Sequence, residues 1–388
     1  MSNERSSRFF NYFRGINITK PTLALKKVTF NNSDNSFFET LKNEVNQYFE
    51  TTKRKQTGDY RLYIKSFTLI PACLIIYAAL LTVEMPVLLS LGLCLILGFF
   101  LACIGFNVMH DACHGSYSES KRLNYVMGLT MNALGSNAFI WKQKHNIIHH
   151  TYTNVDGVDD DIAKSPVLRH CFSQPYKPMH KWQHVYMVPL YAISSILWAL
   201  LTDFQKYFMK EINGTKMNHF NLQEHIIFWV TKVLYVVFYI AVPIYMVGVG
   251  PFLIGYFVAN AAMGLTMALV FQLAHVVETT AFVDAWELEG KMALQDAWAI
   301  HQLRTTSNFS TNSKLVSWFV GGLNFQIEHH LFPKVSHVHY PAISKIVQRV
   351  AQQHNIKYNN IPTFGSAVAS HFKTMKLFGS REHELVPA

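Results

Sequence analysis

Charge is scarce in this sequence. Only 15% of its 388 residues are charged, where average soluble domains carry roughly 25%, so a chain of ordinary soluble domains is excluded. Disorder is excluded too: half the residues are apolar and 14% are aromatic, and disordered chains are poor in aromatics and rich in charge. Cysteine is sparse, with five residues and no CxxC spacing, which indicates neither a disulfide framework nor a cysteine zinc site. No nucleic-acid motif is present, so the excess of 34 Lys and Arg over 24 Asp and Glu serves another surface. No signal-peptide pattern is visible, because the first apolar run starts near Ser66. Mean hydropathy, at +0.12, is low for a chain lying mostly in lipid. The composition describes a protein part in the membrane and part in water.

Long uncharged runs are what the chain has instead. Ser66–Val83 is 18 residues, Met85–Met109 is 25 and Val233–Val277 is 45. A crossing takes about 20 residues, so the last run suffices for two, with Gly248–Pro251 as the turn. The expectation is an all-α polytopic membrane protein with four transmembrane helices in two hairpins, at 66–84 with 86–109 and 226–247 with 251–275. Tyr186–Thr202, only 17 residues, and 125–141, broken by Asn132, Gly135, Ser136 and Asn137, read as interfacial helices. Lys232, early in the third span, is expected to snorkel to the interface. The outer turns carry no Lys or Arg, while residues 1–62 hold eleven basic side chains, so both termini are expected in the cytoplasm. Residues 1–62 form a cytoplasmic segment, 63–350 the membrane domain with a helical cap carrying the site, and 351–388 a cytoplasmic tail; a helix is expected around 341–353.

The histidines are grouped. His110 and His114 stand in HDACH, His145, His149 and His150 in HNIIHH, His329 and His330 in QIEHH, and His275 in QLAH. All lie on the cytoplasmic side of the expected topology, where spans end. At α-helical spacing His110 and His114 share a face, as do His145 and His149. Imidazole suits iron, copper or zinc, and eight imidazoles in four groups exceed what one ion uses, which points to two metals. Asp111 and Glu328, inside the boxes, are candidates to accept imidazole N–H groups and orient the rings. His275 alone would read as a core residue; it gains meaning from the other groups. His170, His180, His184, His219, His225, His354, His371 and His383 are expected at the surface or interface, and His301, His337 and His339 in structural roles. Asp159, Asp160 and Asp161 read as a solvated or substrate-orienting turn rather than a metal site.

Four segments carry a resemblance: HDACHGSYS (110–118), KHNIIHHTYTNVDGVDDDI (144–162), DAWAIHQLRTTSNFS (296–310) and GGLNFQIEHHLFPKVSHVHYP (321–341). Over residues 60–350 the chain resembles the membrane fatty acid desaturases with histidine boxes, and within them the front-end, linoleoyl-CoA (delta-6-type) branch, where Gln326 replaces a leading histidine. The resemblance implies two iron ions held by His110, His114, His145, His149, His150, His275, His329 and His330. It implies a cis double bond introduced into an acyl chain, linked to CoA or to lipid, with O2 and two external electrons. Gln326 is the candidate catalytic residue, as a ligand or a hydrogen-bond donor at the metals, while Trp298, Gln302 and Asn308 are expected to shape the substrate channel or, on an equal reading, simply to pack. Lys142, Lys144 and Arg304 are candidate partners for a head-group phosphate, or a solvated basic rim. Residues 1–60 are too short for the fused cytochrome b5 domain of eukaryotic front-end enzymes and contain no histidine. A separate ferredoxin- or cytochrome b5-type donor, and a bacterial plasma membrane, are therefore expected. A fatty acyl hydroxylase or sphingolipid desaturase shares such a site. A metal transporter, the alternative of another kind, would place polar ligands at mid-membrane.

Overall fold

A computed structural model describes residues 28–31, 33–163, 166–284, 293–294 and 296–381; His383 lies outside them. Among the described residues the chain is mostly helical, and its strands are two-residue pairs. Helix α1 (Ser36–Thr52) buries Phe37, Leu41, Val45 and Phe49, one residue per turn on a single stripe. Helix α2 (Tyr60–Thr82) starts at Asp59, whose carboxylate accepts the Arg61 backbone N–H at 2.9 Å and pairs with the Arg61 guanidinium at 2.8 Å. Helix α3 (Val87–His114) runs 28 residues and contains a π-helical turn at Gly105–Met109. Helix α4 begins at Ala138, capped by the Asn137 side chain, and continues as a π-helical stretch over Gln143–His149. The remaining helices used below are α5 (Pro178–Met209), α6 (Leu222–Val247), α7 (Val249–His275), α8 (Trp298–Thr305), α9 (Gln326–Leu331), α10 (Tyr340–Gln353) and α11 (Phe364–Phe378).

Helices α2, α3, α5, α6 and α7 are each long and apolar enough to cross a bilayer. Their exposed side chains include Phe67, Leu88 and Tyr245, which suits lipid as solvent. A helix is also the one open element that satisfies its own backbone polar groups there. Close approach needs small residues. A Cβ on Gly98 of α3 would lie 2.0 Å from the Ala259 carbonyl oxygen of α7, and one on Gly264 of α7 would lie 2.6 Å from that of Tyr191 in α5. The cap is built where α1, α8, α9 and α10 meet around Leu41, Leu303, Ile327, Leu331 and Val347.

Two expectations change here. The helix over 186–202 is 32 residues long, not 17, because polar residues on both flanks continue it; length no longer excludes a crossing, and among the described residues there are five candidate spans rather than four. Lys232 does not snorkel. It is buried, and its ammonium donates to the carbonyls of Gly135 (2.7 Å) and Ala199 (2.8 Å) and to Asp203 Oδ2 (3.0 Å). The broken region before the second box is as irregular as expected: the helices Lys121–Gly128, Thr130–Ala133 and Ala138–Lys142 are all too short to cross.

Candidate metal centre

Four elements deliver the histidines to one buried place. Helix α3 ends at His110 and His114, α4 carries His145 and His149 with His150 just after, α7 ends at His275, and α9 carries His329 and His330. The π-helical stretch decides how α4 contributes. Its backbone bonds run to the fifth residue, as from the His150 N–H to the His145 carbonyl at 3.1 Å, so a turn takes more than 3.6 residues. His150, five residues after His145, is thereby brought round beside it, while the rings of His145 and His149 stack at 5.3 Å on one face, as their spacing predicts.

Among the described residues, His145 and His149 form one group with Asp161. Two further groups are all histidine: His110, His114, His145 and His329, and His149, His275 and His330; within each, one ligand atom per residue lies within 4.8 Å of the rest. His150 stands between them, its ring 4.5 Å from that of His329 and 4.4 Å from that of His330. Its Nε2 approaches His145 Nε2 at 3.2 Å, and His110 Nε2 approaches the same atom at 3.3 Å. The Nε2 atoms of His114, His275, His329 and His330 are buried without a hydrogen-bond partner among the described residues. Buried polar atoms are seldom left so, and converging imidazole nitrogens call for cations between them. The residues fit two metal ions.

The opposite ring nitrogens are held. His149 Nδ1 lies 3.1 Å from Asp159 Oδ2, His330 Nδ1 donates to Gln302 Oε1 at 2.8 Å, His329 Nδ1 meets the Tyr340 hydroxyl at 3.1 Å, and His275 Nδ1 faces the Thr305 carbonyl at 3.4 Å. The Asp159, Gln302 and Thr305 oxygens only accept, so each places the ring hydrogen on Nδ1 and leaves Nε2 free to ligate, while the Tyr340 hydroxyl positions the His329 ring. Burial, reinforced by neighbouring imidazoles, holds His145, His150, His329 and His330 well below the usual histidine range, and so neutral as ligands must be. His149 goes the other way. Burial opposes its charge as well, but the Asp159 carboxylate outweighs it and raises the ring.

The matching family model is that of the fatty acid desaturases, over residues 86–362. This chain belongs to that family. The desaturase is an oxidoreductase that introduces double bonds into acyl chains. It is 36% identical to an acyl-lipid (8-3)-desaturase of Physcomitrium patens over 368 residues, 93% of this chain and 76% of the relative. It is 34% identical over 285 residues to the sn-1 linoleoyl-lipid 6-desaturase of Arthrospira platensis, covering 73% and 76%. The sn-1 linoleoyl-lipid 6-desaturase of Synechocystis sp. is also 34% identical, over 287 residues, covering 74% and 79%.

Other residues of the desaturase take places the sequence did not suggest. Glu328 contacts no imidazole among its hydrogen bonds: it accepts from Asn308 Nδ2 and the Tyr358 hydroxyl, both at 2.8 Å, and burial raises its carboxyl to about 7. Asn308 is thus occupied with Glu328, Gln302 with His330, and the Trp298 indole donates to the His150 carbonyl at 3.1 Å. Gln326 is buried one turn before His329, its Nε2 without a partner. Asp111 faces His337 and stands 3.9 Å from His110 Nδ1. The aspartate turn is no solvated loop: Asp159 is buried against His149, and Lys144 pairs with Asp161 (2.5 Å) and Asp160 (3.5 Å), which takes it from any phosphate. Arg304 pairs with Asp296, and Lys142 is half-buried. His170, His180 and His371, expected at the surface, are fully buried, with His371 bridging the Val276 carbonyl (2.7 Å) and the Tyr191 hydroxyl (3.1 Å). His301, His337 and His339 are buried too.

Asp159 is the candidate site residue whose contact the sequence hid. It lies ten positions after His149, across a turn closed by Asn154 in the left-handed conformation at φ +55°, and no helical period links the two. The Asn154 N–H donates to Asp159 Oδ2 (3.0 Å), and its side chain reaches the His275 carbonyl (2.8 Å). Replacing Asp159 by Asn should weaken metal retention about 10–100-fold, the usual cost of losing a carboxylate behind a ligating histidine. Metal per chain across a chelator titration measures it; wild-type retention would refute the role.

Proposed function

We propose that this protein is an acyl-lipid desaturase, acting on the acyl chain of a membrane lipid at two iron ions with electrons from a separate carrier. The observation that carries the metal reading is the convergence of buried, unpartnered Nε2 atoms in two groups. His110, His114, His145 and His329 would hold one ion, His149, His275 and His330 the other, with His150 between. A lipid-linked substrate, rather than CoA, is supported by the names of the relatives, which act on acyl-lipid and linoleoyl-lipid. It also suits a site at the ends of spans, within reach of a chain anchored in the bilayer.

Iron supplies, when bound, the oxidant that an unactivated methylene needs and no side chain provides. The protein's residues do the rest. Asp159, Gln302 and Tyr340 hold the ligand rings in place before substrate arrives. Trp141, stacked on His145 at 4.3 Å, and Phe271, 6.2 Å from the same ring, keep water from it. Gln326 offers an amide donor beside the third box. In balance, two hydrogens leave adjacent methylenes and, with O2, two electrons and two protons, give two waters. An apolar cavity of 1160 Å³ between the hairpins, bounded towards the centre by Leu101, Leu134 and Met263, offers room for lipid acyl chain.

In the proposed topology α2, α3, α6 and α7 cross, α5 stays at the interface, and the histidine face with both termini is cytoplasmic. Support comes from the two ends of α5. Lys206, near its end, pairs with Asp160 at 2.6 Å, while Leu168, before its start, packs with Ile162. Both contacts are to the same turn after the second box. Single cysteines at 206–216 and at 120–124 are expected to label from the same face, and labelling of the former from the opposite face alone would sink this topology. For the activity, lipid profiling after expression in a host lacking polyunsaturated acids should reveal new double bonds on intact lipids. The purified protein should need an added redox partner. Product formed on acyl-CoA but not on lipid would overturn the substrate assignment.

A further inference from the structure

A chain of buried polar side chains leads away from the histidines and is used neither as ligand nor for substrate. Lys65, on the first span, is buried, its Nζ 2.9 Å from Asn107 Oδ1 and 3.0 Å from His337 Nε2. The other ring nitrogen, His337 Nδ1, lies 3.0 Å from Asp111 Oδ2. The same oxygen accepts from the Ser336 hydroxyl at 2.6 Å and the His337 backbone N–H at 3.3 Å. A buried ammonium and a buried carboxylate thus face each other across one imidazole. Asp111 in turn adjoins His110, with Oδ1 3.9 Å from its Nδ1.

The surroundings leave these groups little freedom. Asn107 sits in the π-helical turn of α3, and its amide nitrogen is committed to the carbonyls of Cys103 (2.9 Å) and Phe319 (2.8 Å). Its oxygen is therefore turned to Lys65. Gly321, at φ +59°, lies against that turn so closely that a Cβ would stand 2.5 Å from the Phe106 carbonyl oxygen. Burial holds the His337 ring below the ordinary histidine range. Lys65 Nζ can only donate, so His337 Nε2 accepts and the ring hydrogen sits on Nδ1, which faces Asp111 Oδ2 at 3.0 Å without an aligned hydrogen bond among the described residues.

We infer that Lys65 and His337 are positioning residues of the metal centre: Lys65 supplies, through His337, the counter-charge that fixes the Asp111 carboxylate beside His110. A buried carboxylate is tolerable when paired and costly when its partner is removed. Without Lys65, Asp111 keeps the His337 ring, the Ser336 hydroxyl and the backbone N–H but loses the counter-charge behind that ring, and the orientation of His110 loosens. The effect falls on one metal position only, because the group of His149, His275 and His330 is backed by other residues. The inference rests on the proposed ligand role of His110.

The test is the release of iron from the full-length, iron-loaded protein to a chelator, followed in time. Lys65→Met should release one of the two irons about tenfold faster, in the range seen when a residue behind a metal ligand is lost, and leave the other at the wild-type rate. Lys65→Arg should restore the slower release. Asp111→Asn should accelerate the same iron, and the double variant Lys65→Met/Asp111→Asn should be no faster than Asp111→Asn alone. Unchanged release, equal acceleration of both irons, or additive effects in the double variant would overturn the inference. If Lys65→Met does not accumulate, the double variant, which removes both charges together, is compared with Asp111→Asn; equal release of the same iron supports the role, and faster release overturns it. His110→Ala separates the two levels: if it keeps both irons, the ligand assignment has failed, and if it loses one while Lys65→Met behaves as wild type, only the positioning role has.

Discussion

Replacing His275 by alanine is expected to abolish desaturation and to lower bound iron from about two per chain to about one. His275 lies outside the three boxes, yet its ring centre is 4.7 Å from that of His149 and 4.9 Å from that of His330. Its Nδ1 faces the Thr305 carbonyl and its Nε2 is buried without a partner. The backbone at this position is held as well, since the His275 carbonyl accepts from Asn154 Nδ2 (2.8 Å) and the Thr280 hydroxyl (2.8 Å). Alanine keeps that anchoring and removes only the imidazole, which leaves its group with two rings. The loss should therefore show as missing metal rather than a missing protein. His219, which is exposed, is the matched control, and His219→Ala should keep product and iron. His170 cannot serve, because it is buried in the fold. Unsaturated product and iron per chain are measured at equal protein levels. Wild-type values for His275→Ala would remove the residue from the site.

The histidines were legible because their density and placement at span ends leave few other uses for them, and long uncharged runs announce spans by length alone. The geometry between them was not. A π-helical turn has no mark in the sequence HNIIHH: it brings His150 round beside His145, while His145 and His149 stack on one face as their spacing predicts and still serve different all-histidine groups. Adjacency in sequence misled for Glu328: the residue before His329 on a helix points about 100° away from it, and Glu328 meets Asn308 and Tyr358 instead. Asp159 escaped for the converse reason, being brought to His149 by a turn. Helix α5 outran its apolar core because its polar ends are held by contacts of the fold, such as Lys206 with Asp160, that hydropathy does not see. Lys232 looked like a side chain free to reach the interface, since nothing near it in sequence could pair with it.

That lysine gives the largest effect expected on stability. Lys232 and Asp203 are both buried, 3.0 Å apart, on α6 and α5. The ammonium also serves the carbonyls of Gly135 and Ala199, while Asp203 Oδ2 accepts from the Ser136 hydroxyl at 3.1 Å. Each charge is tolerated because the other is present. Lys232→Met or Asp203→Leu alone leaves one ion buried without its partner, a loss of about 3–5 kcal/mol. The double variant removes both ions and leaves only neutral groups unpaired, at about 1–3 kcal/mol for each such group, so it should be more stable than at least one single variant. The clamp also bears on the metal centre. Gly135 and Ser136 lie just before Asn137, which caps the helix that carries His145. Apparent melting temperature and iron content in detergent are the measurements, and both should fall together in the single variants. Single variants as stable as the wild type would mean that the pair is solvated in the membrane rather than sealed between the helices.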